Sequence, residues 1–276
     1  MITGANSGIG KATAIELAKM GATVVMACRK KEESEAVQVE IQEKSGNDQV
    51  GLLIVDLSSQ ESVRKLASDF KKNYQQLHVL VNNAGVYFTK RQVTADGLEM
   101  TFAVNYLSRF LLTNLLLDII KKSAPARIIE VAGAYHAKGT VNFDDLQMEQ
   151  NYNGASANNQ SKLANVLFTY ELARRLTGTG VTVNCLHPGA VATSLLAKDK
   201  DLPLSTKLMY RLFKPFFKSP EKGAGTTLYL ASSPEVQGIT DKYFVNKKMT
   251  PSSPQSYDVE LATLLWNVSL KLAKLD

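Results

Sequence analysis

The stretch Thr3-Gly4-Ala5-Asn6-Ser7-Gly8-Ile9-Gly10 opens the chain with glycines spaced as Gly-x-x-x-Gly-x-Gly. Ile9, Ala12, Ile15 and Ala18 then recur at helical spacing up to Met20-Gly21. The glycines therefore stand at a turn that opens a helix. A residue without a Cβ lets backbone approach a phosphate closely. The helix start adds unpaired N–H groups and a partial positive charge. Spacing and setting together predict a phosphate cradle. Spacing alone would leave an ordinary glycine-containing loop as the alternative.

Such a cradle needs a framework. The chain has 276 residues, long for one domain yet within the range of a single α/β unit, here expected to span 1–276. Hydrophobic content of 45% and charged content of 21% fit a soluble globular protein and exclude general disorder. No continuous apolar run reaches membrane-spanning length, and no secretory signal precedes the first motif, so a cytoplasmic location is expected. The net charge of +6 is scattered and reads as a solvated surface. Without any RNA- or DNA-reading motif, nucleic acid is not an expected partner. Cys28 and Cys185 cannot make a disulfide framework and read as buried, reduced thiols in or at the ends of strands. No metal-binding cluster is expected.

Strand and helix patterns alternate along the chain. Strands are expected at Thr23–Cys28, Val50–Val55, Val79–Val81, Arg127–Val131, Val181–Leu186 and Tyr243–Val245. Helices are expected from Lys31 to Lys44, after a Ser58 or Ser59 cap, from Gly97 to Lys122, up to Leu176, from Glu221 to Ala231, and around Leu261–Leu272. This alternation predicts a Rossmann-like, doubly wound parallel sheet with helices on both faces and ligand at the carboxyl ends of the strands. Only Met1 and Ile2 precede Thr3, so the first strand, central in such a sheet, is expected to be short or to lack upstream residues.

Thr3-Gly4, Gly8-Ile9-Gly10, Asp56, Asn82-Asn83-Ala84-Gly85, Asn105, Lys162 and Pro188-Gly189 with Thr193 together resemble the short-chain dehydrogenase/reductase family. Ala27-Cys28-Arg29, Thr94-Ala95-Asp96-Gly97, Asn105-Tyr106-Leu107-Ser108 and Ser161-Lys162-Leu163-Ala164-Asn165 are similar to its retinol-dehydrogenase-like branch. The resemblance implies a nicotinamide dinucleotide site and hydride transfer to or from a lipophilic alcohol or carbonyl. It assigns Gly4, Asn6, Ser7, Gly8, Ile9 and Gly10 to the pyrophosphate turn. Asp56 and Leu57 go to the adenine, Asn83, Ala84 and Gly85 to the adenosine side, and Lys162, Pro188, Gly189 and Thr193 to the rest of the cofactor. Asp56 also reads as a helix cap. After the second strand, where an NAD-preferring fold places a carboxylate, stand Arg29, Lys30 and Lys31. Cations suit a 2′-phosphate, so NADP is expected over NAD, with a solvated basic turn as the alternative.

The chemical positions depart from the family pattern. The family places a Tyr four residues before the Lys, where the ammonium lowers the phenol's pKa. Here Asn158 stands four residues before Lys162, and the family's Ser aligns with Gly133. Asn105, which the family uses near the Lys, is retained. Hydride transfer is therefore expected to be strongly impaired. Tyr135, His136 and Tyr152 are candidate substitutes, each with a packing or surface role as the alternative. Glu130 in a central strand is costly unless paired. Arg109 as its structural partner, an exposed strand end, and an acid/base role are the three readings. The insertion 194–220 carries Leu208, Met209, Leu212, Phe213, Phe216 and Phe217 between Lys207, Arg211, Lys214 and Lys218. It is expected to be a lid, or a peripheral membrane contact, over a lipophilic ligand. A non-catalytic dinucleotide- or ligand-binding protein, or an altered scaffold with different chemistry, is the competing reading. Either monomer or homodimer fits.

Overall fold

Val24–Cys28 (β2) is buried at every position, as an apolar strand between two helical layers must be. It pairs in parallel with Ile2–Thr3 (β1) on one side and Val50–Ile54 (β3) on the other. Val79–Asn82 (β4), Ala126–Val131 (β5), Val181–His187 (β6) and Lys242–Val245 (β7) continue the parallel sheet. Lys248–Met249 (β8), not expected from the sequence, closes it antiparallel to β7. The order is β3-β2-β1-β4-β5-β6-β7-β8 in the computed structural model, which describes residues 1–191, 201 and 217–276. The middle strand β1 has two residues, yet bonds to both neighbours.

The helices are Gly8–Lys19 (α1), Lys31–Ser45 (α2), Gln60–Asn73 (α3), Met100–Lys122 (α4), Gly154–Arg175 (α5), Pro220–Ser232 (α6) and Val259–Leu272 (α7). Ser59 caps α3 by accepting from the Ser62 N–H, one of the two caps expected. Alternation along β2 sends Val25 and Ala27 to one apolar layer and Val24, Met26 and Cys28 to the other. Helices α1, α2 and α6 cover the second layer, while α3, α4, α5 and α7 cover the first. Both cysteines are buried and in no disulfide among the described residues, as expected.

Helix α4 is long and apolar enough to cross a membrane by length and composition, although polar residues such as Asn105 and Arg109 interrupt its apolar run. Its most apolar window is 78% buried inside the protein, so it serves here as a core helix. Phe110 meets Trp266 of α7 at 4.9 Å and Phe168 of α5 at 5.5 Å between ring centroids. Such aromatic pairs add roughly 0.5–1.5 kcal/mol each beyond area burial. The Tyr106 hydroxyl bonds the Ser269 Oγ at 2.7 Å. These contacts fix α4 and α5 against one another, and those two helices carry Asn105, Arg109, Asn158 and Lys162.

Candidate active site

The chain runs outward from β1 in opposite directions, to β2 on one side and β4 on the other. A crevice opens at the carboxyl ends of strands where such an order reverses. The Gly4–Gly10 turn lies there. Gly4 and Gly8 have φ of 67° and 54°, a region that disfavours any side chain. A Cβ at Gly10 would lie 2.4 Å from the Gly4 carbonyl oxygen and 2.6 Å from the Asn83 amide nitrogen. The turn is therefore folded as tightly as glycine permits. Asn83 donates to the Thr3 carbonyl at 2.9 Å. The buried Thr3 hydroxyl accepts from the Asn83 and Ala84 N–H groups at 3.0 and 3.1 Å. This latch between β1 and β4 was not singled out from sequence, though a Thr just before a turn glycine is its signal. Ser7 sits at the N-cap of α1 without capping it, so its hydroxyl is uncommitted where the helix N–H groups converge. Ile9 packs with Ala12 and Ala224 behind the turn.

At the far end of the crevice, β2 ends at Cys28 and Arg29 is exposed just beyond it. Lys30 pairs with Glu33 and Lys31 with Glu35 along α2. The Arg29 guanidinium has no ion-pair or hydrogen-bond partner among the described residues. Asp56 uses one carboxylate oxygen to accept from the Ser58 N–H at 2.9 Å and hydroxyl at 2.7 Å. That turn leaves its second oxygen for a ligand. Leu57 is half-buried against the core, and Ala84 and Gly85 continue beyond β4, half-exposed.

The wall between β4 and β5 is charged and closed. Glu130 shares a face of β5 with Ile128, toward α4, and meets Arg109 there at 3.2 Å. Arg109 is 2% exposed and Glu130 not at all. The pair is the structural ion pair that was one of three readings of Glu130. The guanidinium also donates to the Val131 carbonyl at 3.1 Å and to the Ala84 carbonyl. Asn82 donates to Glu130 and to the Thr113 hydroxyl. Burial raises the Glu130 carboxyl to about 7, against the opposing pull of Arg109 and Asn82.

Asn105 lies in a π-helical turn, Ala103–Leu107, that interrupts α4. Such turns often mark functional positions. Its amide closes on the Val86 backbone, accepting at 2.8 Å and donating at 3.0 Å, and also donates to Ser161 at 3.2 Å. Ser161 in turn donates to the Asn158 carbonyl at 2.7 Å. Lys162 follows on the same helix, half-buried, and makes no hydrogen bond or ion pair among the described residues. Burial, then the Arg109 guanidinium, push its amine down to about 7, with Glu130 opposing.

Asn158 is buried, and its side-chain amide has no partner among the described residues. Gly133 has φ of 124°, and a Cβ there would meet only the Lys162 Cδ, at 4.0 Å. Two of the three candidate substitutes, His136 and Tyr152, are committed to other partners, and the third faces solvent. Tyr135 is 60% exposed. His136 accepts from the Ser253 N–H at Nε2, which leaves Nδ1 to donate to the Gly133 carbonyl at 2.8 Å. Burial lowers its pKa, so the neutral ring is held by two backbone bonds. Tyr152 donates to the Phe88 carbonyl at 3.1 Å and lies 3.3 Å from Glu99, and burial raises it to about 12.

Gly189, with φ of 92°, lies under Lys218, whose ammonium donates to Asn246 at 2.7 Å. Val191 and Lys218 form a bridge at the root of the insertion. Pro188 and Gly189 thus border the crevice at the end of β6. Thr193 and nearly all of the predicted lid, 194–220, lie outside the described residues.

Residues 1–202 match the family model described as short chain dehydrogenase. The chain is 46% identical to retinol dehydrogenase 14 of Homo sapiens, covering 98% of this chain and 84% of that one. It is 46% identical to retinol dehydrogenase 12 of Bos taurus, covering 99% and 85%. Among solved structures it resembles an uncharacterised protein from Mycobacterium paratuberculosis, with TM-score 0.78, 33% identity and coverage of 99% and 92%. It also resembles the 3-ketoacyl-(acyl-carrier-protein) reductase of Brucella melitensis complexed with NADH, with TM-score 0.67, 26% identity and coverage of 88% and 93%. By sequence and by architecture, the chain belongs to the short-chain dehydrogenase family, in its retinol-dehydrogenase-like branch.

Proposed function

We propose that this protein binds NADP(H) in the crevice beside β1 and that its capacity for hydride transfer is strongly impaired. The crevice suits a dinucleotide: the Gly10 contact leaves backbone alone at the turn, Ser7 is uncommitted, and Asn83 ties the turn to β4. Gly4, Gly8, Gly10 and the first turn of α1 hold the pyrophosphate. Arg29, the unpaired cation of its turn, takes the 2′-phosphate. Asp56 receives the adenine. Lys162, Pro188 and Gly189 border the nicotinamide end. A bound nicotinamide cofactor supplies or accepts the hydride.

The chain's own residues must move the proton and hold the substrate oxygen. The observation that carries the reading is Asn158, one helical turn before Lys162, with no acidic hydrogen where the family places a phenol. Gly133 offers no donor in the adjoining gap. A positioned general acid contributes roughly 10²–10⁴-fold, and one oxyanion donor roughly 10²–10³-fold, without simple additivity. The substrate class of the ancestral reaction is a lipophilic alcohol or carbonyl, supported by relatives named as retinol dehydrogenases.

The backbone commitments of His136 and Tyr152 favour a second reading, a dinucleotide-binding protein without turnover. One experiment separates the two. NADPH binding is measured by fluorescence, and NADPH oxidation with a lipophilic aldehyde is followed in the native protein and in Asn158→Tyr. Binding with little turnover, partly restored in the variant, supports impaired hydride transfer. Binding with no turnover in either supports the second reading. Robust turnover in the native protein refutes both.

A further inference from the structure

We propose that Lys162 is a carbonyl-capturing amine: it forms a reversible imine with an unhindered aldehyde that enters the crevice beside Gly133. The geometry of three groups leads there. Lys162 is half-buried on α5 and has no hydrogen-bond or ion-pair partner among the described residues. Its amine nitrogen is unpartnered among the described residues but not fully sealed, so it keeps some contact with solvent. Beside its chain, Gly133 leaves space: a Cβ there would find no heavy atom closer than the Lys162 Cδ at 4.0 Å. One turn earlier stands Asn158, whose amide cannot be ionised to serve as a counterion.

The nearest carboxylate is already consumed. Glu130 is closed by Arg109 and Asn82. The Arg109 guanidinium, held by Glu130 and by the Val131 and Ala84 carbonyls, keeps a positive charge near the amine. Burial and that charge bring Lys162 down to about 7. A lysine with an ordinary pKa of ~10.4 is neutral in fewer than about one molecule in a thousand at pH 7. Lys162 presents the free amine in a large share of molecules, and desolvated lysines in apolar surroundings are effective nucleophiles.

The step balances without any further reagent. The amine nitrogen attacks the aldehyde carbon, and the carbonyl π pair becomes a hydroxyl after proton transfer from nitrogen. Loss of that hydroxyl with the second nitrogen proton releases water and leaves the C=N bond. No oxidation or reduction occurs. The inference does not require hydride transfer; it shares with the proposed function only the placement of Lys162 at the reacting end of the crevice.

The test uses the full chain, without added nucleotide, exposed briefly to decanal and sodium cyanoborohydride, which reduces the imine to a stable secondary amine. Peptide mass spectrometry then gives the labelling rate of each lysine. Lys162 is expected to react about tenfold or more faster than the surface lysines, its lower basicity giving back part of the gain in free amine. Labelling spread evenly over surface lysines, with Lys162 no faster than their mean, overturns the proposal. Comparison within one native sample needs no variant that must fold. In Lys162→Arg the fast adduct should vanish while the slow surface labelling persists. NADPH affinity is measured separately, so failure to bind NADPH counts against the proposed function and leaves the labelling result standing.

Discussion

Replacing Arg109 by methionine should be among the most damaging single changes in this chain. The guanidinium is 2% exposed, and its partner carboxylate is not exposed at all. Removing one member of a buried pair costs about 3–5 kcal/mol, because the other charge stays buried without compensation. Among the described residues, Asn82 remains as the only direct partner of the stranded Glu130. Glu130→Gln should cost less, about 1–2 kcal/mol, since its amide oxygen can still accept from Arg109 and only the acceptor facing Asn82 is lost. Arg109 also keeps the Val131 and Ala84 carbonyls. The double variant should then be more stable than Arg109→Met alone, by about 2 kcal/mol, because no charge is stranded. Urea unfolding reads these differences. With a slope near the upper end of about 1–3 kcal/mol/M, Arg109→Met should lower the midpoint by about 1 M or more at unchanged slope.

The same variant has a signed pH dependence. Burial already lifts Glu130 to about 7, above its unfolded value near 4.3. Without Arg109 the folded value rises further. Between the unfolded and folded values the native state binds more protons, so stability falls as pH rises through that window. Arg109→Met should therefore regain stability on acidification from pH 8 to pH 6, relative to the native protein measured alongside. If it costs no more than a surface change, within about 0.5 kcal/mol, or if both single costs add in the double variant, the ion-pair argument fails.

Three further outcomes follow from the site. Arg29→Glu should weaken NADPH by about ten- to a hundredfold, the worth of a charge-assisted contact, while sparing NADH; equal losses for both cofactors in a fluorescence titration would remove the 2′-phosphate assignment. Thr3→Val strips the acceptor from two backbone N–H groups and should cost about 2 kcal/mol or more in urea unfolding, together with NADPH affinity. Gly133→Ser, added to Asn158→Tyr, should raise aldehyde turnover above the single variant, since the gap has room. It should also lower stability by about 1–3 kcal/mol, because φ of 124° strains a residue with a Cβ.

The sheet and its helices were legible because their signals are local. β2 reads as buried on both faces from its apolar run, and α1 reads from Ile9, Ala12, Ile15 and Ala18. The antiparallel β8 was not legible: Lys248 and Met249 are exposed and carry no apolar alternation. The core role of α4 was hidden by Arg109 and Asn105, polar residues within an apolar helix that packing and the ion pair accommodate. At the site, Gly4, Gly8 and Gly10 form the turn before α1 that their spacing predicts. The Thr3 latch and the chain from Asn105 through Ser161 to the Asn158 carbonyl did not stand out, because a single hydroxyl leaves no pattern in sequence. The alternatives for Glu130 and His136 could be decided only by distances between residues far apart in the chain.

The two ends of the crevice differ in how they tolerate change, and the difference is physical. At the phosphate end the chemistry is done by backbone. A side chain at Gly10 would strike the Gly4 carbonyl at 2.4 Å, so altering the function there also disrupts the fold. At the reacting end the chemistry would be done by side chains that support little else. The Asn158 amide bonds to no described residue, and a Cβ on Gly133 would touch nothing closer than 4.0 Å. On the proposed function, losing a phenol and a hydroxyl at those two positions would remove proton transfer while leaving the packing that carries α5 and β5 in place. Stability therefore protects the dinucleotide cradle more strongly than the reacting end, where the φ of 124° at Gly133 is the constraint on a Cβ. The exception is Arg109–Glu130, a charged pair that stability does protect, and it lies within electrostatic reach of the Lys162 amine.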